Sequence, residues 1–295
     1  MAEAGVPKRR ECAISVAVPA SIVSDVPHMR EKTAKIGVLA RGADIFGVDE
    51  VVVYLDSVCR GARAAQELVC KVLDYASTPQ YLRKRLFRDE PELRFAGILP
   101  PLRTPDHPLV SSMSKLRAGE YREGVVLKSG LEWSLVDVGV ERPLRVRGKL
   151  GRGSRATIVV TDPARGVGEA VERERIEVYW GFRVSPFASS LGSLISQEKY
   201  DAVIATSRHG RNIVEIWEEL SSLLASSKRA LILFGSPKEG VADILRRENV
   251  NLEGAVEAVV NTVPHQGTAT IRTEEAVISS LAVLNAMMEG MKLGS

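Results

Sequence analysis

The sequence of 295 residues is poor in aromatic side chains and in cysteine, and it contains no long apolar run. Aromatic residues make up 5% of it, so few side chains could stack on nucleic-acid bases. No stretch approaches the roughly 18 apolar residues that a membrane helix requires. No long apolar segment follows the basic residues Lys8, Arg9 and Arg10, so we expect neither a cleaved signal peptide nor a membrane partner.

Cysteine and histidine are too scattered to predict a metal centre. Cys12, Cys59 and Cys70 lack the spacing of zinc ligands and cannot all pair, which indicates buried thiols in a reducing compartment. We therefore expect a cytoplasmic protein, or a nuclear one if the source has a nucleus. The histidines also form no ligand cluster, so we predict no bound metal; they are His28, His107, His209 and His265.

The glycine motifs of nucleotide-phosphate sites are missing as well. The segment GSPKEG at residues 235–240 lacks the spacing G-x-x-x-x-G-K-[ST], and no G-x-G-x-x-G opens an N-terminal helix. These absences count against an enzyme that binds a nucleoside triphosphate or NAD.

Short β-branched runs alternate with helical patterns in two parts of the chain. The N-terminal part predicts strands at 14–18 and 50–55, with helices at 29–46 and 65–73. The C-terminal part predicts strands at 201–206, 229–234 and 258–263, with helices at 213–224, 241–247 and 274–287. This alternation indicates an α/β fold with a mostly parallel sheet.

The middle of the chain breaks this pattern. Four prolines crowd between residues 100 and 108, and short alternating segments separated by glycine turns follow from residue 124 to residue 178. Such segments are typical of a small all-β barrel of the OB or S1 type. We predict that residues 97–178 form an OB-like domain inserted into an α/β domain made of residues 1–96 and 179–295.

The net charge of +3 is small but unevenly distributed. Residues 97–178 contain 14 Lys and Arg against 11 Asp and Glu, whereas the rest of the chain contains 26 of each. If residues 144–150 form a strand, three cations alternate onto one face of it. We predict that this face and its flanks bind RNA phosphates, with a solvated barrel face as the alternative. The cations are Arg142, Arg145, Arg147, Lys149, Arg152 and Arg155.

Aromatic stacking partners are few in this segment. The candidates are Trp133 and Tyr121. We therefore expect the insertion to recognise the RNA backbone and not a base sequence.

Glycine and small polar residues follow three of the predicted C-terminal strands. These loops are residues 206–210 (TSRHG), 234–240 (FGSPKEG) and 261–268 (NTVPHQGT). In an open parallel sheet, ligands bind outside the carboxyl ends of the strands, and glycine lets a ligand approach the backbone closely. The three loops are the candidate ligand site, although each alone is also typical of an ordinary strand-to-helix turn.

Three stretches together resemble the motifs of the SPOUT superfamily of methyltransferases. They are Lys35–Val52 (KIGVLARGADIFGVDEVV), Leu231–Gly240 (LILFGSPKEG) and Asn261–Val277 (NTVPHQGTATIRTEEAV). With the further segments PQYLRK from residue 79, FAGILPPL from 95, YREGVV from 121 and YWG from 179, the resemblance covers residues 12 to 285. It is to the archaeal and eukaryotic RNA methyltransferase family that carries an inserted OB-like domain.

This resemblance implies a C-terminal trefoil knot, a homodimer, and S-adenosylmethionine as methyl donor, with ribosomal RNA as substrate. Lys35 and Thr270–Arg272 stand where ribose 2′-O-methyltransferases have Asn and S-L-N, so a base atom is favoured over a ribose hydroxyl; the family suggests N3 of a uridine. The cofactor-binding residues would be Thr206, Gly235, Asn261, Val263, Gly267 and Ile271.

Three residues are candidates for the methyl transfer itself. Arg41 matches the arginine of the first motif, which implies contact with the target nucleotide; a surface arginine is the alternative. Thr273 is predicted to cap a helix whose first turn holds Glu274 and Glu275, a structural explanation for both acids. The functional alternative is that Glu275 accepts a proton from a ring nitrogen while Arg272 orients the base.

The main prediction is therefore an RNA methyltransferase that depends on S-adenosylmethionine. A non-catalytic RNA-binding assembly factor with the same fold is the alternative. Binding of S-adenosylmethionine distinguishes the two.

Overall fold

The chain divides into two compact units in the computed structural model, which describes residues 7–56, 61–88, 90–197 and 199–291. The described residues of Arg10–Ala76, Glu92–Pro101 and Phe182–Ser295 form the sheet unit, and those of Met1–Arg9, Ser77–Pro91 and Leu102–Gly181 form the barrel unit. The predicted domain boundaries at residues 97 and 178 stay predictions. Cys59 lies outside the described residues.

The secondary structure within these ranges is as follows. The strands are β1 (Ala13–Pro19), β2 (Glu50–Tyr54), β3 (Tyr121–Lys128), β4 (Trp133–Asp137), β5 (Leu144–Arg147), β6 (Arg155–Asp162), β7 (Val167–Ala170), β8 (Arg183–Phe187), β9 (Ala202–Asn212), β10 (Arg229–Leu233) and β11 (Ala258–Asn261). The helices are α1 (Met29–Ile45), α2 (Ala62–Ala76), α3 (Gln80–Leu86), α4 (Leu191–Ile195), α5 (Trp217–Ser226), α6 (Val241–Arg247), α7 (Leu252–Ala255) and α8 (Thr273–Met291).

The sheet unit contains a six-stranded sheet in the order β11-β9-β10-β1-β2-β8, with parallel pairing throughout the described strands. Its central strands are buried along almost their whole length, as in β1 from Ile14 onward and in β10 from Ala230 onward. Helices that cover both faces of a parallel sheet require such continuous apolar runs. The prediction of a mostly parallel α/β sheet is confirmed, and the carboxyl ends of β9, β10 and β11 lie side by side.

Two strands of this sheet differ from the sequence-based expectation. The pattern does not predict β8, because its sequence RVSPF contains a proline and is at most half-buried. Both features suit an edge strand, where the missing N–H of Pro186 is tolerated. Strand β9 continues to Asn212, and the helix expected from residue 213 begins at Trp217.

The barrel unit contains a closed five-stranded barrel in the order β3-β4-β5-β7-β6, with β6 returning to pair with β3. The pairs are antiparallel except for β5 with β7. The prediction of a small all-β barrel is confirmed. Apolar side chains fill its interior: Leu116, Val126, Val136, Val138, Leu144, Val146, Ile158 and Val160.

One arginine is completely buried inside the barrel unit. Arg122 donates from Nη2 to the carbonyls of Val110 at 2.7 Å and Val138 at 2.9 Å, and its Nη1 lies 3.2 Å from Glu120 Oε1. A buried charge is tolerated when its hydrogen-bonding groups have partners. Arg122 is therefore part of the barrel's framework.

Two described thiols are buried in the sheet unit. Burial raises the pKa of Cys12 to about 11 and that of Cys70 to about 12. Both side chains are therefore protonated and weakly nucleophilic at neutral pH. The prediction of buried thiols is confirmed for these two cysteines.

None of the helices in the described ranges combines the length and the apolar character that crossing a bilayer demands.

Candidate functional site

The first candidate loop, residues 206–210, is a large bulge within β9 at the carboxyl edge of the sheet. Ala205 pairs with Val259 of β11, and the next paired residue of β9 is Arg211, opposite Val260. Five residues of β9 thus leave the ladder between two consecutive residues of β11. At Gly210 the chain comes back to pair with β11. Glycine is needed there, because a Cβ would lie 2.7 Å from the backbone N of Val260.

Hydrogen bonds tie this bulge to the other two loops. Thr206 Oγ1 donates to the carbonyl of Leu233, at the end of β10, at 2.8 Å. Asn261 Nδ2 donates to the carbonyl of Arg208 at 3.1 Å, and Arg208 Nη1 donates to the carbonyl of Ala269 at 2.9 Å. The three loops therefore form one connected group, which we call the loop cluster (residues 206–210, 234–240 and 261–271).

The second loop turns sharply at Gly235. Ser236 N donates to the carbonyl of Glu239 at 2.8 Å and closes the turn. A Cβ at Gly235 would lie 2.6 Å from Glu239 O, so the turn requires glycine. The Gly235 carbonyl also accepts a hydrogen bond from Thr273 Oγ1 at 3.0 Å, which fixes the start of α8 to this loop.

The start of α8 differs from the prediction in its capping residue. Ala276 N donates to the carbonyl of Arg272 at 2.8 Å, and Arg272 N donates to Glu275 Oε2 at 2.9 Å. Arg272 is therefore the N-cap, and Glu275 has the position and the bond of a capping-box acid. The prediction of Thr273 as the cap is wrong, because its hydroxyl is bonded to Gly235.

The neighbouring acid, Glu274, belongs to a buried ion cluster. Glu274 Oε2 lies 3.3 Å from Lys35 Nζ on α1, and the same Nζ lies 2.6 Å from Asp25 Oδ2. Lys35 and Glu274 are 6% and 5% exposed, so a cation is held between two carboxylates with little access to water. Helices α1 and α8 also meet where a Cβ at Gly42 would lie 2.6 Å from Ile278 Cγ1.

The candidate catalytic residues lie on two different elements. Arg272 and Glu275 are adjacent at the start of α8, directly after the loop cluster. Arg41 lies on α1, partly exposed, and its Nη1 is 3.3 Å from the carbonyl of Pro101. The structure thus brings Arg272 and Glu275 together, whereas Arg41 lies on α1, a different helix, and its contact is with Pro101.

The predicted cofactor-binding residues all belong to the loop cluster: Thr206, Gly235, Asn261, Val263, Gly267 and Ile271. A Cβ at Gly267 would meet no atom within 4 Å, so the third loop borders open space. His265 beside it has a φ of 58°, uncommon for a residue other than glycine. Backbone groups at the carboxyl ends of parallel strands, where ligands of such sheets bind, are thus accessible in the third loop.

No group of three His, Cys, Asp or Glu side chains suited to a metal ion occurs in the part of the chain that the structure describes.

The cations predicted to bind RNA have two different environments in the barrel unit. Arg145 and Arg147 are exposed on β5, where Leu144 and Val146 point inward, as the alternation predicts. The prediction that Lys149 shares this strand face is wrong, because β5 ends at Arg147 and the chain turns at Gly148, which has a φ of 94°. In the loops beside β5, Arg142, Lys149 and Arg152 are also exposed. Five of the six predicted cations are therefore accessible on this part of the surface.

Arg155, the sixth cation, is tied to a buried carboxylate. Its Nη2 lies 3.2 Å from Glu123 Oε2, and its Nη1 donates to Thr78 Oγ1 at 3.1 Å. Glu123 is 4% exposed and also accepts hydrogen bonds from Thr157 Oγ1 at 2.6 Å and from Trp180 Nε1 at 2.7 Å. Arg155 supplies the positive charge that this buried carboxylate needs.

The two aromatic candidates for base stacking, Tyr121 and Trp133, also have different environments. Tyr121 packs edge-on against the buried ring of Trp180, with 5.9 Å between the ring centroids. Trp133 is 36% exposed on β4. Of the two, Trp133 presents its ring to solvent.

Comparisons with known proteins extend across both units. A family model described as "Putative RNA methyltransferase" matches residues 13–284. The 28S rRNA (uridine-N(3))-methyltransferase of Mus musculus is 34% identical over 93% of this chain and 76% of its own length. The protein of the same name from Homo sapiens is 32% identical over 93% of this chain and 78% of its own. An uncharacterized protein of Halobacterium salinarum is 33% identical over 92% of this chain and 98% of its own.

Proposed function

This chain belongs to the RNA methyltransferase family whose model matches residues 13–284, and from this membership we propose that it transfers a methyl group from S-adenosylmethionine to N3 of a uridine in ribosomal RNA. Membership in the family shows that the chain is a methyltransferase. The identities of the methyl donor, the RNA substrate and the methylated atom are the parts that we propose. Its main support is the similarity to the mouse and human enzymes, which covers about three quarters of each. The loop cluster at the end of the sheet is the second support.

The loop cluster is the proposed site of S-adenosylmethionine, because it lies at the carboxyl ends of parallel strands, where ligands of such sheets bind. We propose that backbone groups of Thr206, Gly235, Asn261, Val263, Gly267 and Ile271 hold the donor. When bound, it supplies a methyl group activated by a sulfonium, which leaves as the neutral thioether S-adenosylhomocysteine. The protein must then align the nucleophile with that methyl group and remove one proton.

Residues at the start of α8 would handle the proton of the target base. Glu275 would accept the proton that leaves N3 of the uridine while N3 forms its bond to the methyl carbon. The hydrogen bond from Arg272 N holds the Glu275 carboxylate, and the exposed Arg272 side chain would orient the base. An arginine can bind a uracil carbonyl oxygen or stabilise the charge that develops on it.

Helix α1 supports two further parts of the proposal, a homodimer and a role for Arg41. Val38 and Ile45 are 40% and 54% exposed, and Arg41 lies between them at helical spacing. Two copies related by a two-fold axis could bury this apolar stripe against each other. Arg41 would then lie in the interface, where we propose that it contacts the target nucleotide.

The C-terminal trefoil knot, the OB-like insertion and the location are also proposals. The knot is proposed from the resemblance of the three motifs, and the hydrogen bonds of Asn261 and Ala269 with Arg208 hold the segment 261–271 against residues 206–210, as a knot of these loops requires. The barrel order, with a parallel pair of β5 and β7, supports an OB-like domain that binds RNA through residues 97–178. The two described cysteines, Cys12 and Cys70, are free buried thiols, which supports the proposal of a reducing, cytoplasmic location.

Calorimetry and nucleoside analysis test the proposal in two steps. Titration of the full chain with S-adenosylmethionine should show saturable binding. Incubation with ribosomal RNA and donor, followed by nucleoside mass spectrometry, should show N3-methyluridine. The variant Arg41→Ala should fold and bind the donor but lose methyl transfer.

Each step has an outcome that contradicts it. If the donor does not bind at high protein concentration, a non-catalytic RNA-binding assembly factor is favoured instead. Methylation at another atom would refute the choice of N3, and wild-type turnover by Arg41→Ala would remove Arg41 from the site.

A further inference from the structure

The outer face of β4 and β5 carries an aromatic ring with a guanidinium stacked on it. The carbon Cζ of Arg145 lies 4.7 Å from the centroid of the Trp133 ring, within the range of a cation–π interaction. In the register of the two strands, Trp133 is opposite Arg147, and Leu135 is opposite Arg145. Trp133 keeps 36% of its surface exposed in this arrangement. We call Trp133, Arg145 and Arg147 the stacking patch.

The placement of these residues follows from the alternation of the two strands. Ser134 and Val136 of β4 are buried, and so are Leu144 and Val146 of β5, so their neighbours in sequence lie on the outer face. A tryptophan on the wet face of a barrel contributes nothing to the apolar interior. An exposed apolar side chain alone needs no explanation, but here the ring lies beside cations on the same face, the combination that single-stranded nucleic acid binds.

We propose that the stacking patch binds an unpaired RNA base on the Trp133 ring, with Arg145 aligning the ring and Arg147 binding an adjacent phosphate. Aromatic side chains beside cations are the usual means of holding single-stranded nucleic acid. A base in a duplex is stacked on its neighbours and has no free face for the indole. The patch therefore selects single-stranded RNA. This inference uses the proposed function only in taking RNA as the partner.

The charges around the patch favour a polyanion. Arg145 and Arg147 are exposed on β5, with the exposed Lys149 just beyond its end. Asp137, on the outer face of β4, is paired with Arg85. Glu132, which precedes Trp133, and Glu169 on β7 are exposed acids near the patch, and the three cations outnumber them. The net charge of this surface is therefore positive, as phosphate binding requires.

Binding of a 12-nucleotide oligouridylate, measured without methyl donor, tests the inference on the full chain. Trp133→Leu should weaken binding about 5- to 100-fold, the range found when one stacked base loses its aromatic partner. Trp133→Phe should keep most of the affinity, because a smaller ring still stacks. Leu109→Ala, at a 94% exposed position of the same unit, is the matched surface control and should leave binding unchanged.

The salt dependence of binding separates stacking from charge. Arg147→Gln should reduce the slope of log affinity against log salt concentration by about 1, the value expected for the loss of one phosphate contact. Trp133→Leu should leave that slope unchanged. A 12-base-pair RNA duplex should bind Trp133→Leu and the wild type equally. Unfolding curves of each variant establish that the barrel is intact.

Two results would overturn the inference. The first is that Trp133→Leu binds the oligouridylate as tightly as the wild type does. The second is that Trp133→Leu loses as much affinity for the duplex as for the oligouridylate. Neither depends on catalysis. A chain that binds no S-adenosylmethionine but shows the Trp133 effect would refute the proposed function and leave the stacking patch standing.

Discussion

The sheet unit and the barrel unit place their polar side chains in opposite ways. In the sheet unit the central strands are largely apolar, and polar side chains collect in the loop cluster and at the start of α8, where Thr206 and Thr273 bond the carbonyls of Leu233 and Gly235. In the barrel unit the charged side chains stand on the strands themselves, with Arg122 buried and Arg145 and Arg147 exposed. The difference follows from the number of faces that each kind of strand buries.

A strand covered on both faces has little room for polar side chains, and one inside it, such as Ser15 of β1, needs a hydrogen-bond partner. The parallel strands of the sheet unit are of this kind, so their ligand site is built from loop backbone, and its shape depends on hydrogen bonds among the loops. A barrel strand has one wet face and can present a cation at every second residue. Changes near the loop cluster should therefore act through stability and loop geometry, whereas changes on the outer barrel face should act on binding alone.

The largest loss of stability is expected for Lys35→Met in the sheet unit. The variant leaves Glu274, which is 5% exposed, without its cation, and breaking a buried ion pair on one side costs about 3–5 kcal/mol. Chemical denaturation followed by circular dichroism measures the free energy of unfolding. The double variant Lys35→Met/Glu274→Gln should recover part of the loss, because no buried charge is then left unpaired.

A free energy of unfolding within about 0.5 kcal/mol of the wild type for Lys35→Met would show that water reaches Glu274. The Lys35–Glu274 pair would then be solvated like the exposed cations of the barrel unit, and the two units would not differ in this respect.

An intermediate loss is expected for Arg155→Gln in the barrel unit. Arg155 is the cation beside the buried Glu123, so its removal should cost about 1–3 kcal/mol of stability. The matched variant Arg147→Gln, on the exposed face, should change stability by less than about 0.5 kcal/mol but reduce the salt dependence of RNA binding. Denaturation and binding at several salt concentrations check both variants. The reverse result, with stability lost at Arg147 and binding lost at Arg155, would contradict this assignment.

The predictable parts of the fold are those that a local pattern determines. The buried runs of β2 and β10 indicate a parallel sheet, and the alternation of β5 assigns Arg145 and Arg147 to one face. The three loops could also be located, because glycine and small polar residues follow predicted strands. Their grouping at one edge follows once the strands are parallel and adjacent.

The features missed depend on contacts between distant parts of the chain. Lys35 and Glu274 are separated by most of the sequence, and neither helix pattern indicates that they pair. Arg155 cannot be distinguished from Arg147 by its neighbours in sequence, because only the fold brings it beside Glu123. Residue propensity favours Thr273 as the N-cap of α8. Propensity carries no information about the hydrogen bond from Thr273 Oγ1 to the carbonyl of Gly235, which uses the hydroxyl that capping would need.

The smallest change in stability is expected for Glu275→Gln. This variant tests whether Glu275, directly after the loop cluster, takes part in methyl transfer. Gln keeps an acceptor for Arg272 N, so the free energy of unfolding should stay within about 0.5 kcal/mol, whereas Glu275→Ala should lose about 1 kcal/mol. If Glu275 accepts the N3 proton, Glu275→Gln should lower the rate of methyl transfer about 100-fold or more without weakening donor binding. If Glu275 only caps α8, the Gln variant will keep the wild-type rate, and the site's base must lie elsewhere.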